Sequence, residues 1–311
     1  MLRILAGIAL LLVSASLSAA KLTYDLTAED LGGGCYAVIG TLDYFKTANG
    51  GNISNSGFVV TDDGVVVIDT GSSKRYGEEL RQLIGKIAPG MPINRVYNTH
   101  LHPDHYLGNQ AFSDVPIMAA RKTIDGIAAD GEGFTLNLYR LVGDWMRGTE
   151  SIAPTQAVGP GRESVGGHDI EIQVFSGHTA ADLMVVDHTC GAIYAGDLVF
   201  NARTLATPHA DFDLWRQSLD QLLQLPRLTL VPGHGAVTTE ITAITQTRDY
   251  LTWLQATLLQ AYDEGLDITE AMQLPIPEPF SGFSLARDEF QRSVSNLFPA
   301  IEAANLPVVN Q

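Results

Sequence analysis

The segment Thr99-His100-Leu101-His102-Pro103-Asp104-His105 restricts the fold more than any other stretch of this 311-residue chain. Three histidines and one aspartate fill four of six consecutive positions, directly after the strand-like run Ile93 to Asn98. His100 and His102 lie two apart, so in extended backbone they project to the same side. Pro103 favours the first turn of a helix, which turns Asp104 and His105 away from that side. One short loop can thus offer ligands to two adjacent cations. Imidazole and carboxylate, with no cysteine among them, suit zinc, and the same donors also hold iron or manganese.

A loop of this kind needs partners, and three sites supply them. His178 lies in Ser176-Gly-His-Thr179, Asp197 in Ala195-Gly-Asp-Leu198 and His234 in Pro232-Gly-His-Gly235. Each follows a short apolar run that reads as a strand, and each has a glycine before it that lets the backbone bend sharply. The expectation is that all three sit just past strand ends and join the 100–105 loop. His168 and His188 fall in polar turn signals and read as surface residues.

The rest of the chain alternates strands and helices. Asp62-Asp63-Gly64 is a turn between two β-branched runs, so a hairpin leads into Val65–Asp69. Ser73 is placed to cap a helix over Lys74 to Ile87, with Leu80, Leu83, Ile84 and Ile87 on one face. Asp169 to Phe175, Leu183 to Val186, Ala192 to Ala195 and Leu228 to Val231 read as strands. Asp211 to Leu225, Ile241 to Asp263 and Ala286 to Ala304 read as helices. This alternation points to an α/β layered fold rather than an all-β sandwich. No linker or repeat divides residues 21–311, which read as one domain.

Residues 1–20 have Arg3 as their only charge, an apolar run from Ile4 to Val13, and a small-residue end at Ser18-Ala19-Ala20. That pattern predicts a signal peptide, hence a periplasmic or secreted protein, with an apolar run too short to span a bilayer. Its removal takes away Arg3 and shifts the net charge from −16 to −17. An acidic balance of this size argues against a nucleic-acid partner, because phosphate attracts a basic surface. No stable membrane insertion is expected, and the partner to expect is a small-molecule substrate. An oxidising compartment permits a Cys35–Cys190 disulfide, although two free buried cysteines in strands are equally ordinary.

Taken together, the Val65–Asp69 strand, His100-x-His102-x-Asp104-His105, Gly177-His178, Gly196-Asp197 and Gly233-His234-Gly235 resemble the metallo-β-lactamase-fold hydrolases. The likeness covers roughly residues 35–240 and leaves C-terminal helices at 241–304. It implies a four-layer αβ/βα sandwich and two zinc ions. His100, His102 and His178 would bind the first ion and Asp104, His105 and His234 the second, with Asp197 between them. Asp69 matches a strand-end aspartate that supports a metal ligand by hydrogen bonding, while a helix-cap or turn role is the alternative. Within the superfamily the chain looks most like exported zinc hydrolases associated with bacterial quinoprotein systems. The shared stretches are Asn49-Gly-Gly-Asn52, Asp69-Thr-Gly71, Tyr106-Leu-Gly-Asn109 and Gly196-Asp-Leu-Val-Phe200.

The implied function is hydrolysis of an ester, thioester, lactone or related acyl bond by a hydroxide shared between the metal ions, with Asp104 orienting it and accepting its proton. Class B β-lactamases usually carry cysteine or serine where Asp197 stands, so β-lactam hydrolysis is the alternative rather than the first expectation. A third reading, from another class, is a metal-binding accessory protein of a quinoprotein system without turnover. Tyr106 and His209 are candidate substrate contacts. The stretch 131–148, with Phe134, Leu138, Tyr139, Leu141, Trp145 and Met146, forms either a lid over the metals or ordinary helix packing.

Overall fold

The computed structural model describes residues 22–226 and 228–305, and the expected signal segment 1–20 lies outside them. Two sheets carry the fold. The first runs β1 (Glu29–Gly32), β2 (Cys35–Val38), β3 (Ser56–Thr61), β4 (Gly64–Ile68), β5 (Ile93–Tyr97), β6 (Ile117–Ala119) and β7 (Gln156–Ala157) in that spatial order. It is antiparallel up to β4 and parallel from β4 onward. The second holds β8 (Gly161–Val165), β9 (His168–Phe175), β10 (Asp182–Asp187), β11 (Ala192–Phe200) and β12 (Thr229–His234). There β11 and β12 are parallel and the other pairs antiparallel.

The period-two pattern of the strands sorts side chains into layers. Val59, Val66 and Ile68 face inward and meet Ile170, Leu183, Val185 and Tyr194 of the other sheet. Their neighbours Phe58, Val65 and Val67 face outward against Tyr76, Leu80 and Ile84 of α1 (Lys74–Ile87). Ser73 caps that helix, its hydroxyl accepting from the Tyr76 amide at 3.1 Å. On the far side, Met184, Val186 and Ile193 pack under three helices: α4 (Phe212–Leu222), α5 (Thr242–Asp263) and α7 (Ala286–Asn305). The chain also forms α2 (Pro103–Tyr106), α3 (Arg121–Val142) and α6 (Ile268–Ala271). The order helix, sheet, sheet, helix is the four-layer αβ/βα sandwich that the sequence implied.

Four local expectations need correction. Asp197 does not lie past a strand end but inside β11, which continues to Phe200 because an irregularity at Gly196, with φ of 52°, keeps the strand running. His234 is likewise the last residue of β12 rather than a residue beyond it. His168 is not a surface residue: it opens β9 and is buried, its Nδ1 2.6 Å from Asp187 on the neighbouring strand. The turn signal there belongs to Gly166 and Gly167. Cys190 sits in the β10–β11 turn, not in a strand, and is disulfide-bonded to Cys35 of β2. The bond staples the two sheets together. No described helix is long and apolar enough to cross a membrane.

Candidate metal centre

The ligand-bearing segments all meet at one end of the sandwich. His100, His102, Asp104 and His105 follow β5, with Pro103 opening α2 as expected. His178 lies in the β9–β10 turn, Asp197 within β11 and His234 at the end of the parallel neighbour β12. All seven side chains are buried. Their ligand atoms fall into two groups, each within 4.8 Å: His100, His102, His178 and Asp197 in one, Asp104, His105 and His234 in the other.

Asp197 joins the groups. Its Oδ2 lies 3.2 Å from His178 Nε2 and 3.7 Å from His100 Nε2. Its Oδ1 lies 3.1 Å from His105 Nε2 and 3.3 Å from His234 Nε2. Asp104 Oδ2 stands 3.5 Å from His234 Nε2 and 3.8 Å from His105 Nε2.

The outer nitrogens of three rings, those of His100, His105 and His234, are held by the protein, which fixes their tautomers. His105 Nδ1 donates to Asp69 Oδ2 at 2.7 Å and His234 Nδ1 to the Ile53 carbonyl at 2.7 Å. Thr99 Oγ1 donates to Asp69 Oδ2 at 2.8 Å, so it accepts from His100 Nδ1 at 2.9 Å. Three Nε2 lone pairs are therefore aimed inward, the arrangement that outer hydrogen bonds impose on metal-binding histidines. Asp69 holds the His105 ring by the kind of hydrogen bond the resemblance implied, and Ser73, not Asp69, caps the following helix. His102 is turned the other way: its Nδ1 faces His178 Nε2 at 2.8 Å and His100 Nε2 at 3.1 Å.

These residues fit a divalent cation. With its Nδ1 donating outward, His100 Nε2 offers only a lone pair, and it faces His102 Nδ1 at 3.1 Å, whose own Nε2 is turned to His209; a cation between these two nitrogens satisfies both. His105 Nε2 and Asp197 Oδ1 are buried without a hydrogen-bond partner, a cost that a cation removes. Burial, reinforced by the neighbouring His105 and His178 rings, holds His100 and His102 well below the usual imidazole range, which keeps both neutral. His105 is the opposite case, since burial is outweighed by Asp197, Asp69 and Asp104, which hold it well above that range. For Asp197 burial is outweighed by His234, His105, His100 and His178, and its carboxyl falls well below the usual range. The centre is built to attract positive charge.

Several supporting residues carried no signal in the sequence. Asp182 accepts from the amides of His178 and Thr179 at 3.1 and 3.0 Å and from Thr179 Oγ1 at 2.7 Å, fixing the His178 turn. Burial pushes its carboxyl up to about 6, against the pull of His178 and of these hydrogen bonds. Asn55 Nδ2 donates to the carbonyls of Pro232 and Gly235, both at 2.8 Å, and so holds the His234 turn. Gly177, by contrast marked in the sequence, has φ of 141° and abuts the backbone of Trp215, so no side chain fits there.

The family model of the metallo-β-lactamase superfamily matches residues 49–234, which include every ligand position. The chain belongs to the metallo-β-lactamase superfamily. Members of this superfamily are mostly metal-dependent hydrolases, in keeping with the His/Asp clusters. Among solved structures, the metallo-β-lactamase from Pontibacter korlensis matches at 23% identity and a TM-score of 0.59, covering 73% of this chain and 99% of that one. The metallo-β-lactamase IND-7 matches at 20% identity and 0.59, covering 74% and 100%. The DIM-1 metallo-β-lactamase, solved after exposure to ceftazidime, matches at 18% identity and 0.58, covering 75% and 99%. At these identities the likeness is one of fold. No curated protein matches the sequence.

A cleft opens over the two ligand groups, floored by His102, Asp104, Asp197 and His234. His209, a candidate substrate contact, lines it, and its Nδ1 lies 2.9 Å from His102 Nε2. Tyr106 does not reach the cleft. It is fully buried beside Leu101, Leu107 and Leu138, its hydroxyl 3.1 Å from Ser151. The turn of α2 that aims Asp104 and His105 at the centre points Tyr106 into the core. The 131–148 stretch packs as an ordinary helix and its following turn, and one face of it borders the cleft. Phe134 and Leu138 of α3 line the cleft, while Val142, Trp145 and Met146 pack beneath.

Proposed function

We propose that this protein is an exported, dinuclear zinc hydrolase acting on an ester, thioester, lactone or related acyl bond. The observation that carries the reading is the Asp197 carboxylate, with one oxygen turned to each group of histidines. His100, His102 and His178 would hold one ion, Asp104, His105 and His234 the other, and Asp197 both. Bound there, such a pair supplies a water of near-neutral pKa and Lewis acidity toward a carbonyl.

The chain's own residues do the rest. Asp104 lines the cleft floor with Oδ2 turned to His234 and His105, which leaves its other carboxylate oxygen to take a proton as a nucleophile attacks. Its main chain is fixed, because Ser54 Oγ donates to the Asp104 carbonyl at 2.7 Å. Tyr44, Phe45, Phe134 and Leu138 form apolar walls that exclude water and seat the body of a substrate. β-Lactam hydrolysis is the second reading, favoured by the solved structures whose fold the chain shares. The segment 1–20 supports export, and the quinoprotein likeness makes such a system the partner to test.

Metal analysis of the purified protein, coupled to a panel of ester, thioester, lactone and β-lactam substrates, tests this. Two zinc ions and acyl hydrolysis lost in His102→Ala are expected. Full metal content and full activity in that variant would refute the assignment. Two bound ions with no turnover across the panel would favour the accessory-protein reading instead.

A further inference from the structure

One wall of the cleft is contributed by a part of the chain outside the 49–234 match. Glu289 and Arg292, from α7, line it together with Arg203 from the segment after β11. Glu289 is fully buried and is shared by two guanidinium groups. Arg203 Nη2 lies 3.4 Å from its Oε1 and Arg292 Nη1 3.3 Å from its Oε2. Arg203 is 2% exposed, yet its Nε has no hydrogen-bond partner. Arg292 keeps 39% of its side chain exposed and sits over the Tyr44 ring at 5.9 Å.

Two cations around one carboxylate leave an excess positive charge in a chain whose net charge is −16. Asp43, close enough to bear on Arg203, is itself paired with Lys46 at 2.7 Å. A tie that served only to dock α7 would need one arginine; the second, Arg292, borders the cleft with 39% of its side chain exposed. Guanidinium is the group that best recognises a carboxylate, through a planar set of donors.

We propose that Arg292, backed by Arg203 through Glu289, is an anion subsite, and that the substrate carries a carboxylate beside its scissile acyl bond. The subsite rests on the hydrolase reading for the bond that is cleaved, but not for the binding of the anion. Phe134 and Tyr44 would flank the substrate's apolar portion, between the carboxylate and the metal edge.

Two matched esters test this on the zinc-loaded protein: 4-nitrophenyl hydrogen glutarate, which is anionic, and its neutral methyl ester. The wild type is expected to favour the anionic ester in kcat/KM. Arg292→Ala should reduce that preference about tenfold to a hundredfold, the range for a lost charged hydrogen bond, mainly through KM. Arg292→Lys should recover part of it, and salt should weaken it in the wild type. An unchanged preference in Arg292→Ala, or none in the wild type, would overturn the subsite. If neither ester is cleaved, the hydrolase reading fails for esters, and calorimetric binding of benzoate decides the subsite alone. Weaker binding to Arg292→Ala than to wild type upholds it; equal binding, or none to either, overturns it.

Discussion

Replacing Asp69 by asparagine is a near-isosteric change that should disable the metal centre without touching a ligand. Asp69 Oδ1 accepts from the Thr99 amide at 2.8 Å, while Oδ2 accepts from Thr99 Oγ1 at 2.8 Å and from His105 Nδ1 at 2.7 Å. All three partners are donors. An amide presents a donor of its own at one of the two positions, so whichever way it is turned, a buried donor meets a donor. The cheapest escape is for His105 to move its proton to Nε2, leaving Nδ1 to accept. That nitrogen faces Asp197 and Asp104, and a protonated Nε2 has no lone pair for a cation. Thr99 is also pulled out of line, which loosens His100.

Losing an outer partner of a metal-bound histidine costs about tenfold to a hundredfold in affinity. That corresponds to roughly 1.4 to 2.7 kcal/mol. Asparagine is the informative variant because Asp69 has φ of 57°, a left-handed conformation that Asn and Asp both tolerate. Alanine would add a backbone penalty of about 1–2 kcal/mol and confuse the two effects. Competition with a chromophoric zinc chelator gives the affinity, and thermal unfolding monitored by circular dichroism gives the stability of the fold. The expectation is metal binding at the His105 group weakened by at least tenfold and at the His100 group by less, with the fold retained. Unchanged affinity at both sites would refute the tautomer reasoning.

Other perturbations report on other parts of the molecule. In Gly233→Ala the new methyl would fall on Asp197 Oδ1 and the backbone of Gly196, so metal affinity and melting temperature should both drop; Gly85→Ala, which meets open space, serves as the control. His209→Ala should weaken metal binding by the group containing His102 by about tenfold in a chelator competition. His209→Gln, whose carbonyl can accept from His102 Nε2 in the same place, should recover most of that loss. Reducing the Cys35–Cys190 bond, which spans 155 residues, should lower the unfolding free energy by up to about 5 kcal/mol in urea titrations, on the chain-entropy estimate. No change in the urea midpoint on reduction would show that the unfolded chain gains nothing from the cross-link's removal.

The site was legible because its residues are chemically unusual and locally clustered. His100, His102, Asp104 and His105 announce themselves within six positions, and glycine marks the distant ligands. The layers were legible wherever strands alternate cleanly, as from Val65 to Ile68. What escaped was weak in local signal. Strands β6 and β7 are three and two residues long and are held by neighbours rather than by their own sequence. Strand β11 looked finished at Ala195 because Gly196-Asp197 reads as a turn, whereas pairing with β12 carries it on to Phe200. Tyr106 could not be placed from its proximity to ligands, since one residue of rotation in a helix separates cleft from core. Arg292 belongs to an ordinary amphipathic helix, and only tertiary packing reveals that it borders the cleft.

The staple between Cys35 and Cys190 also has a topological consequence. Together with the chain it closes a covalent ring over residues 35–190, and that ring contains His100, His102, Asp104, His105 and His178 but neither Asp197 nor His234. A single cut within the ring, for instance near the exposed Leu136 and Tyr139 of α3, would open the ring without releasing either piece. The two fragments would migrate as one molecule until a reductant was added. Each would carry part of the metal centre, the 100–105 loop on one and His178, Asp197 and His234 on the other. A nicked protein could therefore keep its ligands assembled, and in an oxidising compartment damage to the cleft wall need not mean loss of the centre beneath it.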